Sequence, residues 1–351
     1  MKSVLEILSA IIFIFVWPVS GFCHDGSNEV NRSFFLMGTD LEVQIEAKTH
    51  DEALLASEAV FKTVAKTEKR LSTWEKDSEL SKVNESPLDK EFSLSKPLFK
   101  DLTQVFEYAK ETGYAFDPGI GPLVFAWDLR GHGRVPDGNV LKRAIRASRP
   151  GVFEFSRNGI IRKDEGARIE EGGFGKGIGL DEALDSIKEL AVKSVMLNFG
   201  GQISYQGAEP IEVGIANPLK RKEVLLRLSM FSGSASTSGN SEHGHKIGNA
   251  FVGHILNPFT GRPSSYSGSV TVLAERGVEA DCLSTGFFVM GPVEGLKLLK
   301  KIHNEKHSKT QALFVDRDSK TGRWTAQASC GLKNSLKKSK IDVLIKYDCE
   351  E

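Results

Sequence analysis

The chain of 351 residues has no net charge to offer, because 46 Lys and Arg balance 46 Asp and Glu. That balance removes the electrostatic footprint expected of a nucleic-acid binder. Long apolar runs are scarce. Residues 7–16 are almost wholly apolar, but a membrane span needs about 20 such residues. No other stretch reads as long and apolar enough to span. Repeats and low-complexity blocks are missing, which excludes solenoids and disordered arrays. Cysteine is sparse, with four residues in the chain, too few for a disulfide-framed mini-domain. What remains is a length sufficient for a large folded core, 40% hydrophobic residues, and 34 glycines, many in short runs where backbone must approach something closely.

The N-terminus has the layout of an export signal: Lys2, the apolar run, then Trp17-Pro18 and small residues. Cleavage is expected between Gly21 and Cys23, so residues 1–23 are read as signal peptide and 24–351 as one domain. A lipoprotein would carry its lipid on Cys23, but Phe22 stands where that processing wants a small residue. A soluble periplasmic protein is the expectation. In that oxidising compartment Cys330 and Cys349 can pair, which leaves Cys282 as a buried small apolar residue.

Along the mature chain, residues 34–47 alternate like a strand around Met37-Gly38-Thr39. Asp51 is the expected cap of a helix reaching Leu71, and a second helix covers 97–112 before Gly113. A glycine-rich turn region (116–138) precedes a helix over 140–147 and strands near 152–155 and 160–162. The run Glu171-Gly172-Gly173-Phe174-Gly175-Lys176-Gly177 opens a helix to about residue 191. A buried strand at 195–199, strand-rich sequence to Leu273, helices over 278–290 and 293–307, and closing strands at 312–315 and 341–345 complete the pattern. Helices and strands alternate without a βαβ beat, so the fold class is α+β.

Two segments carry chemistry on their own. In Ala280-Asp281-Cys282-Leu283-Ser284-Thr285, a helix puts Asp281 and Thr285 on one face, and a carboxylate with a hydroxyl suits a hard cation such as Mg²⁺. An Asp near a helix start with a Thr one turn on is also an ordinary arrangement. The Gly172–Gly177 run offers backbone amides at a helix entrance with Lys176 beside them, a phosphate-binding chemistry. Its spacing fits neither a P-loop nor a dinucleotide fingerprint, and a plain tight turn has the same sequence. His243, His245 and His254 invite a zinc site, but no fourth ligand follows in order; a polar loop histidine pair is the simpler reading.

Taken in order, the segments Met37-Gly38-Thr39, Glu68 to Trp74, Phe116-Asp117-Pro118-Gly119-Ile120-Gly121-Pro122-Leu123-Val124 with Trp127, Glu170 to Gly177, Leu197-Asn198-Phe199-Gly200-Gly201, Val213 to Pro218, Ser236-Thr237-Ser238-Gly239, His254-Ile255-Leu256-Asn257-Pro258 with Thr260-Gly261-Arg262-Pro263, and Ala280 to Thr285 resemble the ApbE family, the FAD:protein FMN transferases, over nearly the whole mature chain. The resemblance implies a mixed fold of central sheets flanked by helices, with FAD in a cleft between two lobes. It implies Mg²⁺ held by Asp281, Thr285 and the Gly173 carbonyl. Met37, Trp74, Ala115, Phe116 and Asp117 match positions lining the FAD site, and Glu170, Lys176 and Ile255 match further contacts. The implied reaction moves FMN from FAD to a threonine hydroxyl of an exported or membrane redox protein, within a Ser/Asp-Gly-Ala-Thr-like motif, and releases AMP. The attacking hydroxyl needs a base, for which His254 is the candidate, against a structural histidine beside the Asn257-Pro258 turn. A flat flavin wants aromatic and apolar faces, which Met37, Trp74 and Phe116 can supply, although each also suits core packing. Glu170, Gly119 and Asn257 depart from the family's Asp, Thr and Asp, and Asn240-Ser241 also departs from its pattern. Hydrolysis of FAD to FMN and AMP, or non-catalytic flavin carriage, are the alternatives; the retained Asp281 and Thr285 argue against a mere carrier.

Overall fold

The computed structural model describes residues 28–240, 244–247 and 250–349. The expected signal peptide (1–23) and His243 lie outside those residues. Strands β1 (Glu29–Leu36) and β2 (Thr39–Ala47) form a hairpin rather than one strand. The chain reverses at Met37 and Gly38, both at positive φ (47° and 73°), the geometry of a two-residue turn matched to strand twist. A methionine in this region is uncommon, and its amide is tied to Glu68 Oε1 at 2.6 Å.

Helix α1 (His50–Leu71) is capped by Thr49, not by Asp51. The reason is reciprocal: Thr49 Oγ1 accepts from the Glu52 amide, and Glu52 accepts from the Thr49 amide, a capping box that Asp51 cannot form with its neighbours. Then come α2 (Glu79–Asn84), β3 (Glu91–Ser93), α3 (Lys96–Glu111), α4 (Gly121–Ala126), α5 (Gly138–Ala147), β4 (Phe153–Phe155) and β5 (Gly159–Arg162). Helix α6 (Gly175–Ile187) stops four residues short of expectation. Next are β6 (Val192–Phe199), β7 (Gln202–Asn217), β8 (Lys220–Gly239), β9 (Gly244–Ile247), β10 (Ala250–Gly253) and β11 (Ser269–Ala274). The C-terminal elements are α7 (Gly277–Lys306), β12 (Gln311–Arg317), β13 (Trp324–Ser329), β14 (Leu336–Lys338) and β15 (Val343–Asp348).

The main sheet has ten strands in the order β1-β2-β6-β7-β8-β11-β12-β13-β15, with β14 beside β8. Each neighbouring pair is antiparallel except β13 and β15, which run parallel. Strand β8 is long enough to pair with β14 through one half and β11 through the other. Helices α1 and α6 cover the β1-β2-β6 region through Val60, Val64, Leu180 and Phe199. Helix α7 packs on β11 and β12 through Leu283, Phe287, Val272 and Phe314. The α+β expectation holds.

The two helices expected at 278–290 and 293–307 are present as the two halves of α7, which meet at a kink where Gly291 (φ 75°, ψ 176°) leaves helical geometry before Pro292. Proline cannot donate to the helix ladder, and glycine tolerates the bend it forces. Taken end to end, α7 is long and apolar enough to cross a membrane, contrary to expectation. Half of its most apolar stretch is buried against the sheet, the pattern of a core helix. Cys330 and Cys349 are joined by a disulfide, stapling β15 to the end of β13, and Cys282 is buried and free.

Candidate functional site

The site grows from the N-terminal ends of α6 and α7, which cross at very close range. A Cβ on Gly177 would lie 2.5 Å from the Gly277 carbonyl oxygen, so only a bare backbone allows the crossing. Each helix then caps the other. Asp281 Oδ2 of α7 accepts the Gly177 amide at 3.2 Å. Asp181 of α6 accepts the Gly277 amide at 2.6 Å and the Val278 amide at 3.0 Å. Free amides of a helix's first turn need such acceptors, and a carboxylate also complements the helix dipole.

Asp281 is 4% exposed. Burial raises its pKa; the Lys176 ammonium, the Gly177 amide and the Ser236 hydroxyl act against that rise. The Lys176 Nζ stands 3.9 Å from Oδ2, and Ser236 Oγ is 3.4 Å from Oδ1. One turn along α7, Thr285 Oγ1 lies 3.5 Å from Ser238 Oγ, which is 2.9 Å from Ser284 Oγ. The Gly173 backbone closes the group: a Cβ there would sit 3.2 Å from Thr285 Oγ1. Carboxylate, hydroxyl and nearby backbone are the oxygen donors a hard divalent cation prefers, and among the described residues the buried charge has only a 3.9 Å ammonium as cationic partner. The donor set therefore fits Mg²⁺. Among the described residues no three His, Cys, Asp or Glu side chains converge, so a cation here leans on one carboxylate and neutral oxygens.

The second half of the site lies beside the Glu171–Gly173 turn. Thr73 donates to Glu171 through both its amide and its hydroxyl. The next residue, Trp74, is 66% exposed, and the Arg130 guanidinium lies 4.6 Å from its ring centroid. Arg130 donates to the Thr73 carbonyl at 3.0 Å, to the Thr73 hydroxyl, and to both Glu170 oxygens at 2.5 and 2.6 Å. Burial and the Glu171 charge raise the Glu170 pKa, while Arg130 opposes them. The Glu170 amide donates to the Pro118 carbonyl at 2.8 Å, which draws Asp117 alongside. Asp117 accepts from the Gly119 amide at 2.8 Å; burial outweighs that bond and pushes its pKa up to about 7.

The structure thus gathers Gly173, Lys176, Asp281 and Thr285 into one group and links Trp74, Glu170 and Asp117 to it. Met37 reaches the same place, since a Cβ on Gly175 would meet its Cε at 2.8 Å. Ala115 and Phe116 are buried. The Phe116 ring, 3% exposed, packs in the core with Leu71, Val105 and Phe174, so it buttresses the Gly173 turn instead of offering an open face. Ile255 is buried too; its amide donates to Asn240 Oδ1 at 3.4 Å, two residues beyond Ser238. That bond brings half-buried His254 toward the end of β8 that bears Ser236 and Ser238. Asn257 Oδ1 accepts from the Phe259 and Thr260 amides, which shows what this side chain does: it holds a turn. His245 bonds the Leu129 carbonyl at 3.0 Å, a loop-anchoring role that accounts for it without zinc.

Sequence reasoning missed Arg130 and Asp181, and gave Glu68 no role of its own. Asp181 had a faint signal, an acidic residue directly after the apolar run Ile178-Gly179-Leu180. Arg130 had none.

The sequence profile of the ApbE family matches residues 37–313. The chain belongs to the ApbE family. Its relatives include the FAD:protein FMN transferase of Haemophilus influenzae, 26% identical over 84% of this chain and 90% of that protein. The Treponema pallidum protein of the same name is 28% identical over 82% and 88%. In fold, the chain superimposes on the flavin transferase ApbE from Vibrio cholerae with a TM-score of 0.74, at 23% identity over 88% of this chain and 99% of that one. The ApbE protein from Thermotoga maritima gives 0.73, at 23% identity over 89% and 97%. Outside the ApbE match lie β1, β13, β14 and β15 with their disulfide staple.

Proposed function

We propose that this chain is an FAD:protein FMN transferase that moves FMN from FAD to a threonine hydroxyl of an acceptor protein and releases AMP. The observation that carries the reading is the buried Asp281 carboxylate one helical turn from Thr285, whose hydroxyl lies beside Gly173, in a chain of the ApbE family. Asp281, Thr285 and the Gly173 carbonyl would hold Mg²⁺, which when bound supplies positive charge that weakens the diphosphate's repulsion of a nucleophile.

The chain's own residues do the rest. Lys176, at the entrance of α6, offers a cation to the phosphate oxygens, and the first-turn amides of α6 present a positive helix end. Trp74 and Met37 supply surface for the flat ring. His254 takes the threonine proton as the oxygen forms its bond to the FMN phosphorus. The phosphoanhydride bond to the AMP phosphate breaks, and AMP leaves as a stable anion. Asn257 is consistent with this role for His254, because an amide oxygen keeps the turn that an Asp would keep.

The acceptor in this reading is an exported or membrane redox protein with a Ser/Asp-Gly-Ala-Thr-like motif. The same proposal makes residues 1–23 a signal peptide, 24–351 one domain, and the periplasm its compartment. Incubation of the chain with FAD, Mg²⁺ and such an acceptor should leave flavin fluorescence on the denatured acceptor. Chelator or Asp281→Ala should remove it by at least about 100-fold, the scale of losing a charge-stabilising group. FMN and AMP formed equally fast without acceptor would instead make the chain a pyrophosphatase. Full transfer by Asp281→Ala would sink the site assignment.

A further inference from the structure

An exposed tryptophan on a loop is ordinarily free to swing, yet Trp74 is held on one face. The Arg130 guanidinium lies over both the Trp74 and Phe125 rings, 4.6 and 5.6 Å from their centroids. Phe125 is itself flanked by a second guanidinium, that of Arg168, at 5.6 Å. Arg130 cannot slide within this stack, because Thr73 and Glu170 take its terminal nitrogens from one side. Its Nε is buried with no hydrogen-bond partner among the described residues, a cost that an arginine serving only the fold would avoid. Glu170 spends both carboxylate oxygens on the same guanidinium, which leaves little of it for a ligand.

We propose that Arg130 is a positioning residue that fixes the Trp74 indole as a one-sided stacking plate for a flat heteroaromatic ring of the substrate, and that Glu170 acts through Arg130 rather than on the ligand. A cation over one face of an indole is favoured by the ring's negative quadrupole. With that face occupied, only the opposite one is open to stacking, and holding it in advance removes the ordering cost at binding. Arginine is required because a lysine has neither the planar fork that spans Thr73 and Glu170 nor a flat surface to stack. The inference rests on the proposed flavin chemistry for the identity of the ring, but not for the hold on Trp74.

The test uses the full mature chain and the variants Arg130→Lys, Arg130→Gln, Glu170→Gln and Trp74→Phe, checked for folding by circular dichroism. Without ligand, the Trp74 emission is isolated as the difference between each protein and its Trp74→Phe counterpart. Its acrylamide quenching constant should rise about twofold in both Arg130 variants, as a released side chain opens its second face. With Mg²⁺ withheld so that nothing turns over, the Kd for FAD should rise about tenfold in Arg130→Gln, and Arg130→Lys should recover little. Glu170→Gln should weaken FAD binding in the wild-type background and add nothing in the Arg130→Gln background. Riboflavin and ADP as separate probes identify which ring sits on the plate, and the one that does should lose affinity with Arg130. Unchanged acrylamide quenching overturns the proposal, as does Glu170→Gln weakening FAD equally in both backgrounds. If Arg130→Gln does not fold, the same comparisons made in Arg130→Lys support or overturn the proposal by themselves. A wild-type chain that binds no FAD overturns the proposed function instead, while the quenching measurement still tests the hold on Trp74.

Discussion

Removing the Asp181 carboxylate should destabilise the protein far more than its place in an unremarkable helix suggests. Asp181 is 5% exposed and accepts the two leading amides of α7, those of Gly277 and Val278. Arg276 Nε adds an ion pair at 3.3 Å, but that side chain is 44% exposed, so its share is screened and small. Asp181→Ala leaves two buried amides without acceptors, at about 1–3 kcal/mol each, on top of a lost cap interaction of about 1 kcal/mol. Against this, the folded state no longer buries a carboxylate whose pKa burial has raised. The net expectation is about 3 kcal/mol of lost stability. Asp181→Asn keeps one acceptor oxygen and should lose about half as much. Urea unfolding at neutral pH measures both, with the wild-type slope converting midpoints to free energies. Asp185→Ala is the control: it breaks the other, exposed Arg276 pair and should cost under about 0.5 kcal/mol. If Asp181→Ala costs no more than Asp185→Ala, the mutual capping of α6 and α7 does not hold the site together.

Three further outcomes follow from particular groups. Asp117 has a folded-state pKa of about 7, above the ordinary carboxylate value of about 4. Its favourable contribution is complete below that ordinary value and is lost as pH rises through about 7. Asp117→Asn keeps the acceptor for the Gly119 amide and should flatten the fall in stability from about pH 5 to about pH 8 by about 2 kcal/mol, read as unfolding midpoint against pH; an unchanged slope refutes it. Replacing both Cys330 and Cys349 by serine opens a crosslink spanning 19 positions and should lower unfolding free energy by about 3 kcal/mol. That change is measured in the oxidised protein against reduced wild type, which should behave like the variant. His254→Ala should cut FMN transfer about 100-fold or more while leaving the FAD Kd within about twofold; equal losses in both would make His254 a binding residue.

Much of this molecule is written in local sequence. Helix α1, α3 and the pair of segments in α7 are legible because their apolar periodicity, caps and breakers act over a few residues. The i,i+4 relation of Asp281 and Thr285 follows from helix geometry alone, and the order of short motifs identifies the family. The hairpin turn at Met37 and the cap at Thr49 are local as well, since Gly38 and the Thr49–Glu52 spacing are stronger signals than strand alternation or the lone Asp51. The tertiary structure alone decided that Gly177 and Gly277 touch, that Asp181 caps a helix 96 positions away, that Phe116 turns into the core, and that Arg130 reaches back to Thr73 and Trp74. Those facts depend on which surfaces meet after the sheet assembles. A hydrogen bond between distant residues leaves no trace in the spacing of either one, and so the grip on Trp74 becomes visible only once the chain is folded.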